Sequence, residues 1–294
     1  MKKYFCVSDI HSFFWPLKEA LDAAGFDLEN KDHILLVDGD LFDRGADSLA
    51  VYQFVKKLPK SRRVLVRGNH EQLFLDLLNK DEPGEVDYSN GTLRTLLDLA
   101  GKNGDNCVDD LSFDIWWDRK QHWAQSLFQR AKNSRTVKAV AKWIRSDDWV
   151  DYFELGDYLF EHCFIPLRSL SGLPMYFEYP KYAGLEIKTD WRESSTETER
   201  LESRWGHPYL LYRKGFFDEE LKQGKILVCG HWNTSDFYKI DEPDHIISYE
   251  IEDRNPIYIS DHFIGLDACT AKSGRVNCLA LEKDRKSVKI VYHN

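Results

Sequence analysis

The chain has 294 residues, 43% of them hydrophobic and 14% aromatic, enough apolar material to bury a sizeable core and to exclude wholesale disorder. A formal net charge of -9 leaves no basic face for sustained contact with a nucleic-acid backbone, whereas a phosphorylated protein or a small phosphate ester stays open as a partner. The opening MKKYFCVSDIH has too short an apolar run for a signal-peptide core, and no apolar stretch of about 18 residues follows; a cytoplasmic chain that does not enter a membrane is expected.

Three apolar runs, YFCVSDIH (4–11), ILLVDGD (34–40) and VLVRGNHE (64–71), each stop at a polar cluster and read as buried strands feeding loops. Between them Phe13, Leu17, Ala20, Leu21 and Ala24, then Val51, Phe54, Val55 and Leu58, keep helical spacing, with Pro16 suited to a first helical turn. Strand, helix, strand, helix, strand predicts a parallel α/β start. From 91 to about 148, Leu93, Leu96, Leu97 and Ala100, then Trp116, Trp123 and Leu127, then Val137, Val140 and Ile144 recur at helical spacing and predict a helical insertion acting as a cap. YLFEHCFI (158–165) is the next strand. The polar, turn-rich stretch 168–205 is expected to be a specificity loop, with ESSTETERLESRW ending in a short helix. KILVCGHW (225–232), HFIGLDAC (262–269), VNCLALE (276–282) and SVKIVYH (287–293) are further strands with less helix between them, which predicts antiparallel pairing. The expectation is a single α/β domain over 1–294. Six cysteines without a CxxC pair read as buried thiols and not as a zinc site.

The apolar runs end on Asp9 and His11, on Asp40 and Asp43, on Asn69 and His70, on His162 and on His231. Singly, Asp9 caps a helix, Asn69 makes a turn and the histidines are satisfied core residues. Together they demand another account, because strands of one sheet bring their ends to a common edge. Asp9 and His11 are two apart, so in extended backbone they leave the same face and bite one ion. Carboxylate and imidazole without thiolate suit Mn, Fe or Zn.

SDIH (8–11), GDLFDRG (39–45), GNHE (68–71), the lone His162 in FEHCF, and GHW (230–232) resemble the five signature blocks of the calcineurin-like metallophosphoesterases. The GDxxDRG and GNHE forms resemble the phosphoprotein phosphatase branch, and NGTLRTLLDLAG, RWGHP and LDACTAKSGRVNCLALE resemble its bacterial members. The resemblance implies an αββα sandwich of two mixed β-sheets flanked by helices, and two divalent metal ions, with Mn expected and Fe or Zn as the other choices. Asp9, His11 and Asp40 would hold the first ion, and Asp40, Asn69, His162 and His231 the second, with a bridging hydroxide as nucleophile. Arg44 would bind phosphate as a planar fork, with Asn69 and a second arginine, Arg204, also at the phosphate. His70 would be the general acid, oriented by Asp43.

The implied activity is that of a phosphomonoesterase of the serine/threonine protein phosphatase type. Symmetrical dinucleoside tetraphosphate hydrolysis is the alternative, since those enzymes share the blocks; Asp43 favours the phosphoprotein branch. An inactive metal-holding interaction module is disfavoured because every ligand, His70 and Arg44 are present. The chain departs from the family at Ser8 and Ser12, where glycine is usual, at Cys163-Phe164, which replaces a glycine pair, and at Trp232, which replaces a small residue. Phe164 and Trp232 are expected near the metals, narrowing the pocket or stacking on a substrate ring. Asp38 is left without a role.

Overall fold

The period of two in β1 (Lys2–Val7) sorts its apolar side chains between two cores: Phe5 and Val7 pack on helices, Tyr4 and Cys6 on a second sheet. β2 (His33–Asp38) repeats the division with Leu35 and Val37 against Ile34 and Leu36. The computed structural model describes residues 1–101, 122–170, 182, 184–241, 249–284 and 287–294. In it β1, β2 and β3 (Arg63–Val66) run parallel, joined by α1 (Phe14–Ala23) and α2 (Ser48–Lys57), as the strand–helix alternation predicts. α3 (Asn69–Leu77), α4 (Glu85–Ser89), α5 (Thr92–Leu99), α6 (His122–Lys132) and α7 (Arg135–Ile144) lead to β4 (Trp149–Val150), which adds to β3 in parallel. Leu93, Leu96, Leu97, Val137, Val140 and Ile144 bury into the same core as α1, α2 and α3. Trp116 lies outside the described residues.

The second half carries β5 (Phe153–Leu155), β6 (Tyr158–Phe160) and a small antiparallel pair, β7 (Leu167–Ser169) with β8 (Leu185–Ile187). Four short helices follow: α8 (Trp191–Ser194), α9 (Glu197–Glu202), α10 (Pro208–Arg213) and α11 (Asp218–Leu221). Next come β9 (Ile226–Cys229), α12 (Thr234–Asp241), α13 (Tyr249–Arg254), β10 (Tyr258–Ile259), β11 (Phe263–Gly265), α14 (Thr270–Ser273), β12 (Leu279–Lys283) and β13 (Val288–His293). The second sheet has the order β10-β11-β9-β6-β5, and β12 and β13 extend the first sheet beyond β1. Antiparallel pairing holds for β5–β6, β10–β11, β12–β13 and β1–β12. It fails at the centre, where β9 is parallel to both β6 and β11. The reason is the connections: helical segments cross over between these strands, where the sequence suggested little helix.

Tyr4, Cys6, Ile34, Leu36 and Val66 of the first sheet meet Phe160, Val228 and Ile264 of the second, while Leu159, Leu227 and Cys229 turn outward to Leu211, Phe217 and Phe237. These are the four layers of an αββα sandwich. Phe164 belongs to the outer core, fully buried with its ring centroid 6.1 Å from that of Phe217, so the expectation that it narrows the pocket is wrong. Burying a phenyl ring is worth about 1.5–3 kcal/mol, which favours the core over the cleft. Among the described residues all cysteines are free, and no helix is long and apolar enough to cross a membrane.

Candidate metal and phosphate site

Asp9, Asp40, His162 and His231 each stand two residues beyond the end of a strand, β1, β2, β6 and β9 respectively, so the ends of parallel strands from both sheets converge on one cleft. The turns there are left-handed. Among the described residues ten non-glycines have positive φ, and eight belong to these loops or the adjacent one: Asp9, His11, Ser12, Asp40, Asp43, Arg44, His231 and Cys269. The extended geometry expected for Asp9 and His11 is therefore wrong, since both have φ of 50°. Their side chains still converge, with His11 Nε2 3.8 Å from Asp9 Oδ1 and 3.8 Å from Asp40 Oδ2.

Backbone carbonyls set the imidazoles. His11 Nδ1–H donates to Phe42 O (3.0 Å) and His162 Nδ1–H donates to Asp38 O (2.9 Å), which leaves Nε2 of each ring to face the cleft. Asp40 Oδ1 is 3.3 Å from His162 Nε2, and its Oδ2 is 3.8 Å from His70 Nε2. Two groups of donor atoms result, His11–Asp40–His70 and Asp40–His162–His231, with Asp40 in both. Asn69 Oδ1 is directed at His162 Nε2 (3.0 Å) and His231 Nδ1 (3.1 Å), and only a turned-over amide would donate to the Asp40 oxygens, at 3.3 Å. An amide, imidazole nitrogens and a shared carboxylate turned into one cleft make a donor set that fits a divalent cation. Burial lowers His11 and His231 to about 3. His162 is also buried, but the Asp40 carboxylate outweighs that penalty and raises it to about 10.

The surrounding residues hold these loops. Ser8 Oγ lies 2.6 Å from Asp38 O and 2.5 Å from Asp9 Oδ2, and a methyl group on Gly230 would collide with both Ser8 Oγ and Asp9 Oδ2, so this family departure is built into the packing. His231 N–H donates to Asp9 Oδ2 at 3.0 Å, and Thr270 Oγ1 donates to Asp9 O at 2.8 Å. Glu71 accepts the backbone N–H groups of Gly68 (2.7 Å), Asp40 (3.1 Å) and Leu41 (2.9 Å), tying the loops after β2 and β3 together. Asp38 turns away from the cleft and is fully buried; burial raises its carboxyl to about 8.

His70 Nδ1–H donates to Asp43 Oδ2 at 2.8 Å, and Thr92 Oγ1 donates to the same oxygen at 2.7 Å. Burial alone would lower His70, yet Asp40 and Asp43 together raise it above the ordinary histidine value. Arg44 is exposed at the cleft, its backbone N–H donates to Asn90 O (3.1 Å), and among the described residues its guanidinium forms no ion pair with Asp43 or Asp47. The cleft measures about 360 Å³ and also takes in Trp205, Trp232, Asn233 and Asp267. Trp232 packs on His207 with ring centroids 4.5 Å apart, and Trp205 stands edge-on to His231 at 6.3 Å.

The structure thus brings Asp9, His11, Asp40, Arg44, Asn69, His70, His162 and His231 together, with Asp43 behind His70. It does not bring Arg204, which is buried in a separate cleft and donates to Asp151 Oδ1 at 2.8 Å. Sequence reasoning missed Trp205, Thr92, Thr270, Asp267 and Glu71. All but Glu71 lie in the segments RWGHP, NGTLRTLLDLAG and LDACTAKSGRV that already stood out, and Glu71 is the last letter of GNHE.

The family model for calcineurin-like phosphoesterases matches residues 2–260. A symmetrical bis(5'-nucleosyl)-tetraphosphatase from Nitrosospira multiformis is 43% identical over 99 residues, 34% of this chain and 34% of that protein. Shewanella-like protein phosphatase 1 from Plasmodium berghei is 38% identical over 97 residues, 29% of this chain and 27% of that protein. The alignments with these curated relatives thus span about a third of their length or less. In fold the chain is similar to the cold-active protein-tyrosine phosphatase of a psychrophilic Shewanella, with a TM-score of 0.51 at 14% identity over 99% of this chain and 81% of that one.

Proposed function

Since the chain belongs to the calcineurin-like phosphoesterases, we propose that it is a metal-dependent phosphoric ester hydrolase that cleaves dinucleoside polyphosphates into nucleoside diphosphates. The observation that carries this reading is the pair of tryptophans, Trp205 and Trp232, lining the same cleft as the convergent carboxylate and imidazole donors. Aromatic walls beside a phosphate site suit a ligand with a nucleobase, because base–aromatic stacking is worth about 1–3 kcal/mol per base. The tetraphosphatase likeness over a third of the chain points the same way.

Asp9, His11 and Asp40 would hold one divalent ion and Asp40, Asn69, His162 and His231 a second, with Mn as the proposed metal. Bound there, such ions polarise a phosphoryl oxygen and lower the pKa of water into the neutral range. Arg44 grips phosphate oxygens with its fork and offsets charge during transfer. His70 donates its Nε2 proton to the departing oxygen while Asp43 holds Nδ1–H, so the ring stays oriented through the step. Water adds at phosphorus, the P–O bond to the leaving diphosphate breaks, and His70 is reprotonated from solvent.

The His70–Asp43 pair supports a second reading, phosphomonoester or phosphoprotein hydrolysis, since a serine alkoxide needs a proton far more than a diphosphate does. Product analysis separates the two. The Mn-loaded protein given diadenosine tetraphosphate should release two ADP, and Trp205→Ala should raise KM for that substrate roughly tenfold with little effect on p-nitrophenyl phosphate. Release of inorganic phosphate from phosphoserine peptides, with the dinucleotide left intact, would establish the second reading instead.

A further inference from the structure

A second cleft of about 380 Å³ is lined among others by Arg67, Glu71, Arg145, Arg200, Arg204 and Asp151. Asp151 Oδ1 takes Arg204 Nη2 (2.8 Å) and Arg67 Nη1 (3.1 Å), while its Oδ2 takes Arg200 Nη1 (3.4 Å). Among the described residues it is the one carboxylate in ion-pair range of these guanidiniums, and Arg145 has none. Of the cleft's other acids, Glu71 is occupied by three backbone N–H groups and Glu197 is exposed.

The arginines are held in place, since Arg67 also donates to Ser146 O (3.3 Å) and Arg200 to Arg192 O (3.0 Å). Arg204 has only 5% of its surface exposed, so its charge has lost most of its hydration, offset by a shared Asp151 carboxylate at 2.8 Å and, beyond ion-pair range, by the buried Glu161 and Glu71. A buried cation in that position is stabilised by a further anion. On a chain of net charge -9, such a concentration of guanidinium is not a general surface property.

We propose that this cleft is a second phosphate-binding site, in which the forks of Arg67, Arg200 and Arg204 take the oxygens of one phosphoryl group. Three planar forks around a tetrahedral oxyanion offer more donors than a carboxylate can accept, which favours phosphate. The site is separate from the metals and does not depend on which ester the enzyme cleaves. Glu71 lines this cleft and bonds the backbone of Asp40 and Gly68, so the two clefts meet at one side chain.

Equilibrium dialysis of the Mn-loaded enzyme with radiolabelled inorganic phosphate tests this. Two phosphates per chain are expected. Arg44→Ala should remove one, and the Arg67→Gln/Arg200→Gln double variant should weaken the other roughly tenfold or more while p-nitrophenyl phosphate hydrolysis stays within about threefold. Asp151→Asn serves as a second variant: freed from their carboxylate, the arginines should bind phosphate more tightly, whereas a purely structural cluster would leave affinity unchanged. One phosphate per chain in the wild type, or two that both survive the double variant, overturns the proposal. Displacement at the Arg67/Arg200 site by ADP or by a phosphoserine peptide then distinguishes a nucleotide from a phosphoprotein as the source of the phosphoryl group.

Discussion

His70 sits where its chemistry can be separated from that of its neighbours, because its Nδ1 is committed to Asp43 and its Nε2 faces the cleft. As a proton donor it matters most for poor leaving groups. His70→Ala should cost roughly 10²-fold or more on a phosphoserine or alkyl phosphate and distinctly less on p-nitrophenyl phosphate, and Asp43→Asn should show the same pattern more weakly. Equal losses on both substrates, with metal content intact, would make His70 a phosphate-positioning residue instead. Asp40 is the contrasting case, because its carboxylate faces both donor groups. Asp40→Asn should lose metal at both positions by elemental analysis, and two ions retained per chain would refute the shared role.

Among the elements, α5 supports the site from behind, through Asp43. Thr92 and Thr95 at its start bond Asp43, the first through Oγ1 to the carboxylate and the second by accepting the Asp43 N–H at 2.9 Å, while Gly91 packs against the Arg44 backbone. Thr92→Val should therefore cost about 1–2 kcal/mol in chemical denaturation, and it should lower activity several-fold on poor leaving groups without changing metal content. The same element illustrates what the sequence can and cannot convey. Leu93, Leu96 and Leu97 announce a helix by their spacing, whereas nothing in a threonine marks it as the partner of an aspartate 49 residues earlier. The convergence of the carboxylate and imidazole residues was legible because their types are rare at strand ends, and the parallel start because helices of 10 residues carry a full periodic signal. The parallel centre of the second sheet was not, since α8 to α11 have only four to six residues each, too few for periodicity to register. Arg204 went astray for a related reason: a guanidinium on a short 3₁₀ turn can face either neighbouring cleft, and only the partner, Asp151, decides which.

Across the whole molecule, the donor set is divided between layers: Asp9, His11, Asp40 and Asn69 follow strands of the first sheet, and His162 and His231 strands of the second. In the metal-free state the Asp40–His162 pair lies between them, and because His162 rises from 6.5 to about 10, the pair's stabilisation is present in full below pH 6.5 and fades as pH climbs through about 10. Metal competes for the same lone pair and requires a neutral ring. Uptake at pH 7–8 should consequently release about one proton or more per chain, read as a buffer-dependent calorimetric enthalpy, and affinity should rise with pH across that range. His11 and His231, already neutral there, add none. Buffer-independent heats would show that His162 is neutral before metal arrives.

Joining Asp40 to His231 has a topological side as well. The two residues are roughly 190 positions apart along the chain, so an ion shared between them closes most of the polypeptide into a ring, much as a long-range covalent staple would. Closure entropy grows only with the logarithm of ring length, and it acts on the unfolded ensemble, which would forfeit about 5 kcal/mol of conformational freedom while the ion stayed attached. An ion held there would thereby also limit how far the two halves of the chain can stray from each other when the fold opens.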